Sequence, residues 1–401
     1  MIKSVRVVNF KSLAAVDIPL GHFTCLVGMN GAGKSTVLQA LDFLSQLMRG
    51  DAQGWLDRRG WTAADLKCKL RTELNITFNV SFATAAGVNL TWIGVFNRTD
   101  LRCTQENIFL RDGKGLRTVL RLNAQTYALD GRERQTIAFE YQGSILSALK
   151  DSEVPAALLE FRDALRNVRS LELLSPDKLR KSARVSEHDI GQGGERLSAY
   201  LDNIKGDRKT KLVKLLRKFY PALVDYKITS LRSGWKKLSV FEQFGAQKLE
   251  TEALHLNDGL LRILAVLTQA DADRSLLLLD ELENGINQEI VETLVDTLLQ
   301  SPQQLLVTTH SPLLLNYLPD DVAREAVQFL YKTPQGETRC RSFFSIPRMA
   351  AKLNAMGPGD AFVDTDLRLF AQECVEMDER DEAAMRAQEQ AEADATGTSG
   401  A

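Results

Sequence analysis

Residues 28–36 read Gly-Met-Asn-Gly-Ala-Gly-Lys-Ser-Thr and match the spacing G-x-x-x-x-G-K-[ST] at every fixed position. Those residue types at that spacing suit the capture of a nucleoside triphosphate with Mg²⁺. Gly28, Gly31 and Gly33, with Asn30 and Ala32 between them, let the backbone curl until several N–H groups point inward at phosphate oxygens. Lys34 brings a point charge to the β- and γ-phosphates, and the Ser35 hydroxyl is a Mg²⁺ ligand. Thr36 follows in the first turn of a helix whose positive end favours the anion further.

A second set of groups lies far along the chain. Leu276-Leu277-Leu278-Leu279 reads as a buried strand and runs straight into Asp280-Glu281. A strand covered on both faces delivers its last residue to the sheet edge where open α/β folds bind ligands. Asp280 is then placed to approach Mg²⁺, and Glu281 to polarise an attacking water. Leu305–Thr309 is a further buried strand, ending in His310, so His310 should reach the same edge and contact the γ-phosphate. Upstream, Leu256-Asn257-Asp258-Gly259-Leu260-Leu261 opens an apolar helix. Asn257 or Asp258 can cap that helix, and Gly259 allows close backbone approach.

The elements that position these groups are legible around them. Val5 and Val7 lie in a first strand, and Phe23–Val27 is a second that feeds the glycine loop. Val37, Leu38, Leu41, Phe43, Leu44 and Leu47 then recur at helical spacing. From Arg71 to Tyr141 the pattern becomes period two, clearest over Leu74–Phe82, with further short strands near Leu90–Phe96, Ile108–Leu110, Val119–Leu122 and Ile137–Phe139. This is an antiparallel lobe. Residues 144–220 turn helical, and helix–strand order returns from Ala253 to His310. The fold class is therefore α/β, with the nucleotide-binding core split in sequence. The expected boundaries are 1–70 and 250–370 for the core, 71–143 for the antiparallel lobe, 144–249 for a helical lobe, and 371–401 for an acidic segment, a fraying helix and a disordered tail.

The chain has 401 residues, 44% of them hydrophobic, enough for one large or two ordinary domains. A net charge of −2 leaves any nucleic-acid contact to local patches. Five scattered cysteines without a C-x-x-C pair suggest a reduced, cytoplasmic setting, and four histidines give no metal cluster. No signal pattern stands at the start and no apolar run approaches the ~20 residues that span a bilayer, so no membrane partner is expected.

Taken together, these residues resemble the ABC-type ATPase heads of the SMC and RecF-like class. Gly28–Thr36 looks like Walker A, Leu276–Glu281 like Walker B, Glu283–Ile286 like the D-loop, and His310 like the switch histidine. Leu256–Leu261 looks like the signature segment, written here Leu-Asn-Asp-Gly-Leu-Leu where L-S-G-G-Q is usual. That form is known from a bacterial branch of AAA-family ATPases that includes relatives of the OLD proteins, many of them in anti-phage defence operons. The resemblance implies ATP and Mg²⁺ as cofactors and a second copy of the chain as partner, with Asn257, Asp258 and Gly259 closing the site in trans. It makes Lys11 and Ser12, in the turn after the first strand, candidates to lie near the base and α-phosphate. The Q-loop glutamine, a metal and γ-phosphate contact, is assigned to Gln142 at the junction of the lobes, with Gln135 as its competitor.

Other stretches narrow the function. Lys34 and Asp258 are only about 220 residues apart, with no heptad run between them, which excludes long coiled-coil arms. Gly191–Leu197 imitates a signature but lies too far before Asp280, and reads as a loop and helix start. Asp364-Thr365-Asp366 has no partner glutamate and reads as a surface turn rather than the metal site of a nuclease. An effector, nuclease or toxin-like and encoded nearby, is then the expected partner. A basic stretch from Lys205 to Lys218 reads as a solvated helix face, with DNA as the alternative contact. The favoured function is an ATP-hydrolysing switch in defence. A RecF-like repair ATPase is the nearest alternative, ahead of an assembly scaffold or a transporter subunit.

Overall fold

Leu276–Leu279 is the second strand of a six-stranded sheet in the computed structural model of the chain, which describes residues 1–397 apart from Lys114, Glu187, His188, Asp273 and Arg274, with side chains described to Gln388. Five strands run parallel in the order Val168–Leu171, Leu276–Leu279, Gln304–Thr308, Phe23–Val27 and Val327–Lys332. Thr338–Ser342 closes one edge antiparallel. Side chains alternate across a strand, so an all-leucine run serves two layers. Leu277 and Leu279 enter one core with Leu305 and Val307, while Leu276 and Leu278 enter the other with Leu306 and Leu26.

The first core packs the sheet against helices Asp258–Ala270 and Gln288–Leu299. The second packs it against helix Lys34–Arg49 and an eight-stranded antiparallel sheet. That second sheet runs from Leu13–Pro19 through Ile2–Phe10, Asn75–Ala83, Asn89–Asn97, Arg102–Asp112, Gly115–Asn123 and Thr126–Leu129 to Gln135–Thr136. Asn75–Ala83 alternates buried and half-buried residues along its whole length, the period two of its sequence.

Several expected boundaries move. Strands Ile2–Phe10 and Leu13–Pro19 belong to the antiparallel sheet, not to the nucleotide core, because they pair with each other and Ile2–Phe10 pairs with Asn75–Ala83, with Val5 opposite Val80. Ile137–Phe139 lies just past the last strand, and Thr126–Leu129 supplies the strand in that region. The region 144–249, expected to be helical, lends Val168–Leu171 to the six-stranded sheet. It also carries most of a three-stranded sheet, Leu223–Ser230, Lys236–Phe244 and Gln247–Glu252.

The acidic stretch, expected to be a fraying helix and a disordered tail, is helical from Leu367 to Gly397, and residues 398–401 lie outside the described residues. Its acids find long-range partners that local composition does not reveal. Asp378 accepts from Tyr331 at 2.5 Å and from Arg341 at 2.7 Å, and Glu382 accepts from Arg339 at 3.2 Å. Phe370 and Cys374 of the same helix are buried in the first core. Among the described residues, no helix is long and apolar enough to cross a membrane, and the five cysteines are free thiols.

Candidate functional site

Phe23–Val27 ends at Gly28, where the chain turns through three glycines with φ of 145° at Gly28, 78° at Gly31 and 112° at Gly33. A Cβ on Gly28 would stand 2.2 Å from the Leu330 carbonyl oxygen, and one on Gly33 would stand 2.8 Å from Thr338 Oγ1. Helix Lys34–Arg49 starts at Gly33 with no side-chain cap. Its first N–H groups therefore face what the loop encloses, the arrangement that suits an anion. Lys34 is buried and donates to the carbonyls of Gly28 at 2.9 Å and Met29 at 3.2 Å. Burial pushes its pKa down, against the opposing pull of Asp280, Glu281 and Glu283. The loop, the uncapped helix and the third ammonium donor fit a phosphate chain.

The turn after the first strand touches this loop. Ser12 Oγ lies 3.3 Å from Thr36 Oγ1, and the Thr338 hydroxyl donates to the Ala32 carbonyl at 2.9 Å. Lys11 is held aside: its ammonium donates to Gln39 at 2.8 Å and sits 3.7 Å above the Trp61 ring. Ser35 is exposed in the first turn of the helix, with its hydroxyl free to meet solvent or a ligand.

Asp280 and Glu281 leave the strand at the same edge, oriented by a residue on the next strand. Thr308, fully buried, donates to Asp280 Oδ1 at 2.6 Å and accepts from the Glu281 N–H at 2.8 Å. Glu281 has φ of +48°, unusual for a side chain larger than glycine. Its carboxylate accepts from Asn284 at 3.2 Å. Strand Gln304–Thr308 then delivers His310, whose N–H donates to Glu283 at 2.8 Å. Burial and the nearby Lys34 hold the His310 pKa below its usual value. Among the described residues no three His, Cys, Asp or Glu side chains cluster as a metal cage. One carboxylate and one hydroxyl beside a phosphate loop are the donors that a hydrated Mg²⁺ takes.

The signature-like segment lies on the other flank. Asn257 caps helix Asp258–Ala270 by accepting from the Leu260 N–H at 2.7 Å. Asp258 is ion-paired with Arg180. A Cβ on Gly259 would come within 3.2 Å of the Gly285 carbonyl oxygen, and Arg262 donates to the Asn284 carbonyl at 2.5 Å. The segments 257–259 and 283–286 thus form one surface of the chain.

Gln142 is not part of this arrangement. Its side chain accepts from the Gln53 N–H at 3.1 Å, and the backbone N–H of Ser144, two residues on, donates to the Leu47 carbonyl at 2.8 Å. Leu47 lies at the C-terminal end of the 16-residue helix that starts at the phosphate loop. That helix is roughly 24 Å long. The lobe junction read from the sequence is real but sits at the wrong end of the helix. Gln135 is no substitute, since it accepts from Tyr127 at 2.5 Å in the outermost strand of the antiparallel sheet. The residue that follows the strand beside Leu276–Leu279 is Glu172, bound by Arg59 at 3.1 Å.

Sequence reasoning passed over Thr308, Thr338, Arg180 and Arg262. Thr308 ends the apolar run Leu305–Val307, and a hydroxyl at a fully buried strand end is a signal in itself. The other three act across long sequence separations. Asp364 pairs with Lys352 at 3.0 Å and Asp366 accepts from the N–H groups of Arg368 and Leu369, so the D-x-D triplet is an ordinary turn and cap. In helix Gly206–Phe219 two of the basic residues are already paired, Lys209 with Asp225 and Lys211 with Asp271.

The family described as "AAA ATPase domain" matches residues 1–108, and the family described as "AAA domain, putative AbiEii toxin, Type IV TA system" matches residues 134–316. The chain is 50% identical over 44 residues to an OLD nuclease of Thermus scotoductus, a stretch covering 11% of this chain and 8% of that protein. It is 50% identical over 46 residues to the DNA replication and repair protein RecF of Porphyromonas gingivalis, covering 11% and 13% respectively. The solved SMC head bound to the C-winged helix domain of ScpA superposes with a TM-score of 0.53 at 15% identity, over 85% of this chain and 96% of that one. The fold is that of an SMC-type, ABC-like P-loop ATPase head. The matches together support an ATPase of the AAA, SMC and RecF type, while the chain spans only a small part of the length of its curated relatives.

Proposed function

We propose that the protein is an ATP-hydrolysing switch that dimerises head to head around ATP and controls a partner effector. One observation carries the catalytic part: Thr308 fixes both Asp280 and Glu281 at the sheet edge that Lys34 faces. In this reading Asn30–Thr36 cradle the phosphates, with Ser12 and the displaced Lys11 beside them. Ser35 and Asp280 hold Mg²⁺, which neutralises developing charge on the phosphates when bound. Glu281 takes hold of the attacking water and His310 meets the γ-phosphate as a neutral imidazole. Asn257, Asp258 and Gly259 belong to the partner's site, and their continuity with residues 283–286 supports one composite surface per chain.

Glu281→Gln tests this. The variant should bind ATP, lose most of its turnover and accumulate as a dimer with ATP in size-exclusion chromatography. Rapid turnover would remove Glu281 from its role, and a monomer at saturating ATP would remove the head-to-head dimer.

For the biological setting we favour cytoplasmic anti-phage defence with a nuclease or toxin-like effector, on the likeness to OLD nuclease and to the AbiEii-described family. The likeness to RecF favours DNA as the second reading. Turnover stimulated by DNA ends, lost when Arg208, Lys214, Arg217 and Lys218 are changed to alanine, would select it.

A further inference from the structure

A cavity of about 460 Å³ lies along the outer edge of strand Val168–Leu171, outside the nucleotide site. None of residues 28–36, Asp280, Glu281 or His310 lines it. Among the described residues six cationic side chains do: Arg49, Arg58, Arg59, Arg169, Lys178 and Arg196. Five carboxylates among the described residues line it too, but the closest ion pairs already engage most of them. Arg58 holds Asp51, Arg59 holds Asp42 and Glu172, and Arg196 holds Asp189. Glu195 accepts from the Gly193 N–H at 3.0 Å.

What remains unmet in this cavity is mainly donors. Gln269 is 0% exposed, and neither atom of its side-chain amide has a hydrogen-bond partner among the described residues. The buried Ser170 hydroxyl is also without one, as are the Nε–H groups of Arg59 and Arg169. Arg169 Nε stands 3.7 Å from Asp189, beyond hydrogen-bond reach. Unmet buried polar groups are costly, about 1–3 kcal/mol each, and a group of them around one cavity calls for an occupant. Gly191, Gln192 and Gly193, part of the false signature in the sequence, form one wall of the cavity, with φ of 81° at Gly191.

We propose that this cavity is a second ligand site, built for a small, acceptor-rich oxyanion, a phosphate-bearing molecule no larger than a nucleotide. The volume falls in the range of small-molecule sites, and guanidinium groups are suited to paired contacts with phosphate oxygens. Its floor reaches the catalytic edge, because the Leu171 carbonyl accepts from the Asp280 N–H at 3.3 Å.

The test uses full-length protein carrying Lys34→Ala, which disables the phosphate loop, and inorganic pyrophosphate as probe in titration calorimetry. A binding event is expected in that variant, weakened tenfold or more by adding Arg58→Ala and Arg196→Ala, both partly exposed, and weakened by salt. Gln269→Met separates a ligand role from a structural one. It should leave the melting temperature of the free protein unchanged or higher and weaken pyrophosphate binding. No binding in the Lys34→Ala protein up to about 1 mM pyrophosphate, binding indifferent to the two arginines, or a lowered melting temperature in Gln269→Met would each overturn the proposal. These outcomes are independent of Glu281 and of ATP turnover.

Discussion

The Thr308 hydroxyl donates to Asp280 and accepts from the backbone of Glu281, so one buried atom sets the direction of two adjacent acids. Thr308→Val keeps the shape and removes both contacts. A hydrogen bond to a charged group is worth about 1.5–3 kcal/mol. Steady-state assays should show turnover lowered about 10- to 100-fold with ATP affinity little changed.

Gly28→Ala tests the loop by sterics alone. The added methyl would meet the Leu330 carbonyl at 2.2 Å, in a backbone conformation that side chains rarely adopt. Backbone on both sides leaves nothing flexible to yield. ATP binding measured by fluorescence titration should fall below detection, with a melting temperature below that of the parent protein.

Arg180→Ala frees Asp258 from its ion pair at the start of the signature-like helix. The carboxylate then stands unpaired where the proposed dimer would bring a partner's γ-phosphate. Like charges repel, so ATP-dependent dimerisation followed by light scattering should weaken about tenfold, while ATP binding to the monomer stays intact.

His310 titrates below its usual value because burial and Lys34 disfavour the imidazolium. It is therefore neutral at pH 7, and the charged form appears only on further acidification. Turnover should stay level from pH 8 down past 6.5 and decline below that. His310→Gln should remove that decline along with most of the activity.

Glu106 provides a pH effect on stability that is separate from the nucleotide site. It is fully buried in the antiparallel sheet, where Trp92 donates at 2.8 Å, Ser144 at 2.6 Å and the Ile145 N–H at 2.6 Å. Burial pushes its pKa from 4.5 to about 7 despite those donors. A carboxyl raised on folding contributes stability that is complete below its unfolded pKa and disappears as pH rises through the folded one. The effect is on the order of 3 kcal/mol. Denaturant titrations should show the parent losing stability between pH 4.5 and 7, and Glu106→Gln should flatten that slope.

How much was legible in the sequence follows from the range of each interaction. Gly28–Thr36 and Leu276–Glu281 are local: the conformation and the chemistry are written in the same few residues. The alternation over Leu74–Phe82 is local too, and the antiparallel sheet follows it. The placement of Ile2–Phe10 in that sheet depends on Asn75–Ala83, about seventy residues away, and nothing in Val5 or Val7 distinguishes one sheet from the other. Gln142 shows the same limit. Its junction was visible, but which end of helix Lys34–Arg49 it meets is decided by Leu47. The acidic stretch after residue 371 was read from composition alone, and composition does not show that Arg339, Arg341 and Tyr331 wait for its charges.

That last helix has a mechanical reach. It grips strands Val327–Lys332 and Thr338–Ser342 through Tyr331, Arg339 and Arg341. The same two strands carry the Leu330 carbonyl that walls Gly28 and the Thr338 hydroxyl that pins Ala32. Each handle is the chain neighbour of its wall: Tyr331 follows Leu330, and Arg339 follows Thr338. A protein that docks on the helix from Leu367 onward, or a force applied along it, is transmitted as a tug on the loop that clasps the phosphates.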